Sequence, residues 1–339
     1  MTAKTIALIT GITGQDSGYL AEYLLKLDYT VVGLRRRTTN RDPAHLDKLE
    51  GNFHIIDGDM TDSVSLVNAL RMVRPDEVYN LAAQSFVGSS WNSPLLTNDV
   101  NYMGTLRLLE ACRGMGGTCP RIYQASTSEM FGNSTPPQNE DTPMLPRSPY
   151  GVSKLAAHNL CRVYRESFGM FIACGILFNH ESPRRGEEFV TRKIAMGVAK
   201  IMKGKQDFIE LGDITTRRDW GYAGDYVRAM WLMLQPDQKP DDFVIATGET
   251  HTVQEFIVEA FQVAEEILET DVSGMVDWRY AKQFIKINPE LIRPAEVQEL
   301  RGDPTKAINV LGWEPAYDFK KLVHLMVGSE IMKLGRSVM

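Results

Sequence analysis

Short apolar runs alternate with longer stretches of helical period through the first half of the chain. Ile6-Ala7-Leu8-Ile9-Thr10, Thr30-Val31-Val32-Gly33-Leu34, Phe53-His54-Ile55-Ile56, Val78-Tyr79-Asn80-Leu81 and Ile122-Tyr123-Gln124-Ala125 have the length and the β-branched or aromatic content of strands. Between them, residues 19–27, 63–73 and 101–113 read as helices. A further helix is expected from near Pro149 to about Phe168, and residues 171–178 read as another buried strand. Strand–helix alternation predicts an α/β fold, a parallel sheet with helices on both faces. In the second half, residues 188–202, 225–234 and 253–269 carry helical periodicity, the first with basic residues spaced along it. Pro289, Pro294, Pro304 and Pro315 predict a last fifth of loops and short helices. The expected organisation is a sheet domain over residues 1–178, with about 209–250 returning to it, and a smaller irregular α/β lobe mainly from 179–339.

At 339 residues the chain is long enough for two such lobes. Hydrophobic content of 43% and charged content of 24% are those of a soluble globular protein. With 37 basic and 43 acidic residues the net charge is −6, and no basic tail is present, which argues against nucleic acid. No apolar run approaches a membrane span, and residues 1–6 lack a signal-peptide pattern, so no membrane association and a cytoplasmic location are expected. Cys112, Cys119, Cys161 and Cys174 lack metal or redox spacing and fit reduced structural thiols. The six histidines show no ligand spacing, so no metal is expected.

Gly11-Ile12-Thr13-Gly14-Gln15-Asp16-Ser17-Gly18 follows the first strand and opens the first helix. Glycines there let the backbone approach a pyrophosphate, whose charge the helix N-terminus favours. This makes the sheet a Rossmann-type, doubly wound one, with Gly11, Thr13, Gly14, Gln15 and Asp16 as cofactor residues; the alternative is an ordinary strand–helix turn. The second strand ends in Arg35-Arg36-Arg37 where an NAD-selecting fold carries an acid. Arg35 and Arg36 suit a 2′-phosphate, hence NADP, although a solvated charge run stays open. Asp59 and Met60 are placed by the adenine, and Leu81, Ala82 and Ala83 beside the passing cofactor.

Tyr150-Gly151-Val152-Ser153-Lys154 sets a phenol and an ammonium one helical turn apart. The ammonium is expected to stabilise a phenolate and draw the tyrosine pKa toward neutrality. Upstream, Ser126-Thr127-Ser128-Glu129 adds a second acid/base, which simple alcohol oxidation does not require. The set Thr127, Glu129, Tyr150 and Lys154 therefore points to chemistry that also moves a carbon-bound proton. Glu129 as a helix-start carboxylate and Thr127 as a capping hydroxyl remain the plainer readings.

These residues resemble the extended short-chain dehydrogenase/reductases and, within them, the GDP-mannose 4,6-dehydratase family. The resemblance runs over nearly the whole chain, through Thr10 to Asp16, Tyr79 to Ser85, Ala125 to Gly132, Ser148-Pro149-Tyr150, Arg218 to Gly221 and Arg293 to Val297. The run from Gly175 to Gly186 is specific to this family. It implies NADP, GDP-mannose as substrate, GDP-4-keto-6-deoxy-mannose as product on the way to GDP-L-fucose or GDP-D-rhamnose, and a homodimer or homotetramer. It further implies His180 and Arg185 near the cofactor, and Asn179, Val190, Lys193 and Glu296 near the GDP-sugar. Arg218 and Arg293 suit a diphosphate by their forked donors; a surface ion pair of Arg293 with Glu296 is the alternative. Ser85 and Ser128 are weaker candidates for sugar contacts, Ser85 also for the cofactor. The segment around Arg35 to Thr39 is implied to serve a subunit interface as well.

Three positions depart from the family pattern: Ser17-Gly18 where a glycine and then a small residue are usual, Leu27-Asp28 where a helix-ending glycine is favoured, and Phe86 in place of a histidine. Rival readings are a dehydratase of another GDP-sugar such as a GDP-manno-heptose, a nucleotide-sugar epimerase, and a non-catalytic cofactor sensor. An epimerase needs no base at C5, so Glu129 argues against it, and a sensor need not keep Tyr150, Lys154 and Glu129 together.

Overall fold

The computed structural model describes residues 4–38, 43–117, 119–269 and 276–336. Six strands come in the predicted order: β1 (Ile6–Thr10), β2 (Thr30–Arg35), β3 (Phe53–Asp57), β4 (Glu77–Asn80), β5 (Arg121–Thr127) and β6 (Ile172–Leu177). With the strand Asp242–Ile245 they form one seven-stranded sheet, ordered β3-β2-β1-β4-β5-β6 and then Asp242–Ile245. Every pairing is parallel, with Ile9 opposite Gly33 on one side and Tyr79 on the other. β1, β4 and β6 are buried along nearly their whole length because both sheet faces are covered.

The helices follow from local signals. α1 (Gln15–Lys26) opens at Gly14. α2 (Ser63–Val73) is capped by Asp62, which accepts from the Val64 N–H. α3 (Pro94–Asn98) runs through a π-helical turn, Asp99–Met103, into α4 (Gly104–Arg113). α5 (Pro149–Phe168), α6 (Val190–Met202), α7 (Ala223–Leu232) and α8 (Val253–Leu268) complete the set that frames the site. One sheet face packs Leu20, Leu24, Val227 and Met230 of α1 and α7 against Ile9, Tyr79 and Tyr123. The other packs Leu66, Leu70, Leu108 and Cys161 of α2, α4 and α5 against Leu8, Val78 and Ile122.

A second core joins α6, α8 and the helix Phe319–Arg336 through Ile194, Val198, Phe256, Phe261, Val323 and Val327. That last helix has 18 residues where the prolines predicted loops and short helices. It starts after the final proline, Pro315, so no ring interrupts its ladder. Ile209–Leu211 pairs with Ile285–Ile287 away from the main sheet, whereas α7 and Asp242–Ile245 join that sheet and its core. Among the described residues, no helix is long and apolar enough to cross a membrane.

Candidate active site

The order of strands reverses between β1 and β4, and a crevice opens at their carboxyl ends. There Gly11 adopts φ +69°, and a Cβ on it would lie 2.7 Å from the Ala82 Cα. Only glycine allows this approach of β1's end to the chain beyond β4. The Thr10 hydroxyl fixes the same junction, donating to Asn80 Oδ1 at 2.8 Å and accepting from the Leu81 and Ala82 N–H groups. Gly14 then presents the uncapped N-terminus of α1 to the crevice, a setting that fits a dinucleotide's pyrophosphate.

Gln15 and Asp16 turn inward. Asp16 Oδ2 meets His180 Nε2 at 2.8 Å, and His180 Nδ1 meets the Phe178 carbonyl at 2.7 Å. With acceptors at both ring nitrogens, His180 is held as an imidazolium. Burial works against both charges, yet their mutual attraction wins: His180 is raised above the ordinary histidine range and Asp16 lowered. Gln15 links the same elements, donating to the His180 carbonyl and accepting from Ser182.

α5 begins where the Ser148 hydroxyl accepts from the Gly151 N–H at 3.0 Å, with Pro149 in the first turn. This start sets Tyr150 and Lys154 against the end of β5. Lys154 Nζ donates to the Ala125 carbonyl at 3.0 Å, and the Thr127 hydroxyl stands beside the Tyr150 phenol in the cleft wall. Thr127 also accepts from the Glu129 N–H at 3.3 Å, so capping and contact with Tyr150 belong to one hydroxyl. Glu129 is buried in the turn Ser128–Met130 and faces the cleft.

The expected phenolate is not what the protein alone favours. Burial pushes Tyr150 up to about 12, with the Thr127 hydroxyl opposing and Glu129 adding to the rise. Burial likewise pushes Lys154 down to about 8. Its Nζ lies 6.0 Å from the Tyr150 ring centroid, and at that range desolvation outweighs the ammonium's attraction.

Gly14, Gln15, Asp16, Leu81, Ala83, Ser85, Thr127, Ser128, Glu129, Tyr150, Lys154, Asn179, His180, Arg185, Val190, Lys193, Arg218, Arg293 and Glu296 all line one cleft around a cavity of about 380 Å³. At its far end Arg218 pairs with Glu296 at 2.9 Å, and Arg293 reaches Glu296 at 3.4 Å and Glu129 at 3.8 Å. Arg293 and Glu296 are thus an ion pair in the cleft wall, joined to the acid/base candidate. Arg185 pairs with Glu181 at 3.1 Å and lies over the Phe189 ring. Asn179 Oδ1 is buried without a protein partner.

Other expected cofactor residues lie outside the cleft lining. Gly11 and Ala82 form its backing, and Thr13 is exposed on the turn. Arg35 pairs with Asp57 at 3.0 Å at the ends of β2 and β3, with Arg36 exposed beside it. The Asp59 carboxylate accepts from the N–H and hydroxyl of Thr61. The Met60 side chain packs in the core against Gly104. Thr39 lies outside the described residues.

Residues 8–326 match the family model described as GDP-mannose 4,6 dehydratase. The chain belongs to this family. It is 48% identical to GDP-mannose 4,6 dehydratase 1 of Arabidopsis thaliana, the match covering 97% of this chain and 90% of that protein. It is 45% identical to GDP-mannose 4,6 dehydratase of Homo sapiens, covering 97% and 92%. Among solved structures it resembles the UDP-glucose 4-epimerase of Thermus thermophilus complexed with NAD, at 26% identity and a TM-score of 0.79, covering 96% of this chain and 99% of that one.

The departures from the family pattern have local explanations. Ser17 sits inside α1, where no positive φ is needed, and its hydroxyl donates to the Gly11 carbonyl at 2.8 Å. The glycine requirement falls on Gly18, where a Cβ would lie 2.6 Å from the His45 ring. Asp28 takes φ +64°, a left-handed conformation that glycine adopts most readily at a helix end. Phe86 packs edge-on against Phe189 at 5.5 Å, closing one wall of the cleft.

Sequence reasoning missed Ser126, Phe189, Thr191 and Trp220, which also line the cleft. Ser126 stands inside the Ser-Thr-Ser-Glu run and Trp220 inside the Arg218 to Gly221 run, so both could have been found there; Phe189 and Thr191 carry no local motif. It also missed a trio that only the fold assembles: His158, Cys174 and Asp242 bring possible ligand atoms within 4.8 Å of one another. A cation already sits there, since Arg165 Nη2 lies 2.5 Å from Asp242 Oδ1.

Proposed function

We propose that the chain dehydrates GDP-mannose to GDP-4-keto-6-deoxy-mannose with a nicotinamide cofactor that ends as it began. The observation that carries this is the convergence of Thr127, Glu129, Tyr150 and Lys154 on one wall of the cleft, with Glu129 3.8 Å from Arg293. The bound cofactor supplies the hydride acceptor for C4 and the hydride donor for C6. Tyr150 takes the C4 hydroxyl proton, and Thr127 holds the C4 oxygen. The ketone acidifies C5; Glu129 removes that proton and delivers it to the departing C6 hydroxyl, which leaves as water. The proton taken by Tyr150 balances the one C5 regains. Burial leaves Tyr150 high, and Lys154 is the protein's own cation beside it; a bound oxidised nicotinamide would add positive charge.

NADP is the preferred cofactor, since β2 ends in Arg35 and Arg36 rather than in a carboxylate. Arg218 and Arg293 receive the diphosphate, and Asn179, Val190 and Lys193 contact the GDP-sugar, with Glu296 at the guanosine. The relatives named GDP-mannose 4,6 dehydratase support this over an epimerase; the epimerase neighbour shares the fold at lower identity. A larger GDP-sugar such as a GDP-manno-heptose uses the same catalytic residues and is the second substrate to assay.

Self-association is expected through the outer faces of α3 to α5. Leu95, Leu96, Met103, Val152, Val163 and Phe168 are exposed there, an apolar surface that a second copy would cover. Purified protein incubated with GDP-mannose should yield a sugar nucleotide lighter by one water, faster with NADP+ than with NAD+ if cofactor must be added. Unchanged mass with GDP-mannose but water loss from another GDP-sugar moves the assignment to that sugar.

A further inference from the structure

The face of α5 that carries Tyr150 and Lys154 carries a third residue at the same spacing, His158. Each faces a different one of three consecutive residues at the end of β5. Tyr150 stands beside the Thr127 hydroxyl, Lys154 Nζ donates to the Ala125 carbonyl at 3.0 Å, and His158 Nδ1 is paired with the Ser126 hydroxyl at 3.0 Å. Ser126 is 4% exposed and His158 5%, so water does not compete for this bond. Its far side is braced too. His158 Nε2 lies 3.5 Å from Asp242 Oδ2, on the strand beyond β6. Asp242 Oδ1 is held at 2.5 Å by Arg165, which stands further along α5 and donates through Nε to the Ile172 carbonyl at 2.8 Å. The helix bearing the phenol is thus bolted to the strand bearing Thr127 through a chain of polar contacts from the half-buried Arg165 and Asp242 to the buried His158 and Ser126.

We infer that His158 is a positioning residue for the dehydration: through Ser126 it fixes the end of β5 so that the Thr127 hydroxyl and the Tyr150 phenol address the same C4 oxygen. Ser126 precedes Thr127 directly and lines the cleft, so a shift of its hydroxyl carries the next residue with it. His158 does not line the cleft, and its effect passes through other groups. Misplacing reacting groups by about 1 Å can cost ~100-fold in rate without weakening binding. The geometry also says which ring nitrogen matters. An asparagine side chain places its amide where Nδ1 lies and can keep the Ser126 bond, leaving Asp242 with Arg165. A glutamine reaches instead to the Nε2 position and loses Ser126.

The inference rests on the assignment of Thr127 and Tyr150 to C4, so Thr127→Val is measured alongside. Steady-state dehydration of GDP-mannose, cofactor affinity and thermal midpoint are compared for His158→Gln, His158→Asn, Ser126→Ala and Thr127→Val. His158→Gln and Ser126→Ala should lose ~10- to 100-fold in kcat with KM and cofactor affinity within ~2-fold, and His158→Asn should stay within ~3-fold of the parent. Ser126→Ala removes one hydroxyl, so it reports even if His158→Gln unfolds. Equal kcat for Asn and Gln at 158, or full activity in Ser126→Ala, overturns the positioning role while Thr127→Val remains impaired. Full activity in Thr127→Val instead overturns the assignment of Thr127 and this inference with it.

Discussion

Lys154 Nζ donates to the Ala125 carbonyl across 3.0 Å while the surrounding protein buries its charge. Burial pulls its pKa down to about 8, so the native state binds fewer protons than the unfolded chain between that pH and the ordinary lysine range. Stability then rises with pH across that window, because deprotonation relieves the buried charge. Lys154→Met should therefore raise the thermal midpoint at pH 7 while lowering turnover at least ~100-fold. A calorimetric scan beside an activity assay checks both.

The Asp16–His180 pair makes a prediction of opposite slope. His180 is raised, so its contribution is fully present below the unfolded histidine pKa and is lost as pH climbs through the higher folded value. Asp16 is lowered, so its share is present above the ordinary aspartate range and lost only in acid. The pair's contribution to the thermal midpoint should decline as pH rises above the ordinary histidine range, against the rise that Lys154 contributes at higher pH. Asp16→Asn should flatten that decline and weaken cofactor binding, as read by melting curves at a series of pH values and by a cofactor titration.

Gly11→Ala tests the junction of β1 with the segment after β4. The left-handed φ and the 2.7 Å approach to Ala82 leave no room for a methyl group. The variant should lose more than ~1 kcal/mol of stability, and its cofactor affinity should fall, since the same backbone forms the floor of the crevice. Denaturant unfolding and a cofactor titration give the two readouts.

Asp219 shows a polar centre of another kind. Its carboxylate accepts from the Thr247 N–H and hydroxyl and the N–H groups of Gly248 and Gly302, tying three segments together beside Arg218. Burial lifts it to about 6 despite these donors. Asp219→Asn sets an amide against N–H groups and should cost roughly 1–3 kcal/mol. KM for GDP-mannose should rise as Arg218 loses its support.

The sheet was legible because strands buried on both faces are continuous apolar runs, and because Gly11 to Gly18 follows the first of them. α5 was legible from Pro149 onward, and the structure adds the Ser148 cap at its start and the left-handed Gly169 at its end. The edge strand Asp242–Ile245 was not singled out, because a four-residue run has little period and its place depends on pairing with β6 across a long insertion. The long last helix was obscured by the prolines before it. In the site, residues within compact motifs were nameable from sequence. The Asp16–His180 pair and the joining of His158 to Asp242 needed the fold, since their partners are remote in the chain. The tyrosine pKa was misjudged because four-residue spacing reports proximity and says nothing of the desolvation that accompanies it.

The central claim, that Glu129 moves the C5 proton, is tested most directly by running Glu129→Gln and the parent enzyme with GDP-mannose in deuterated water and weighing the sugar nucleotide. The parent should lose one water and gain deuterium at C5. Glu129→Gln should keep its cofactor affinity yet neither lose water nor exchange at C5. Water loss by Glu129→Gln at the parent's rate would contradict the account.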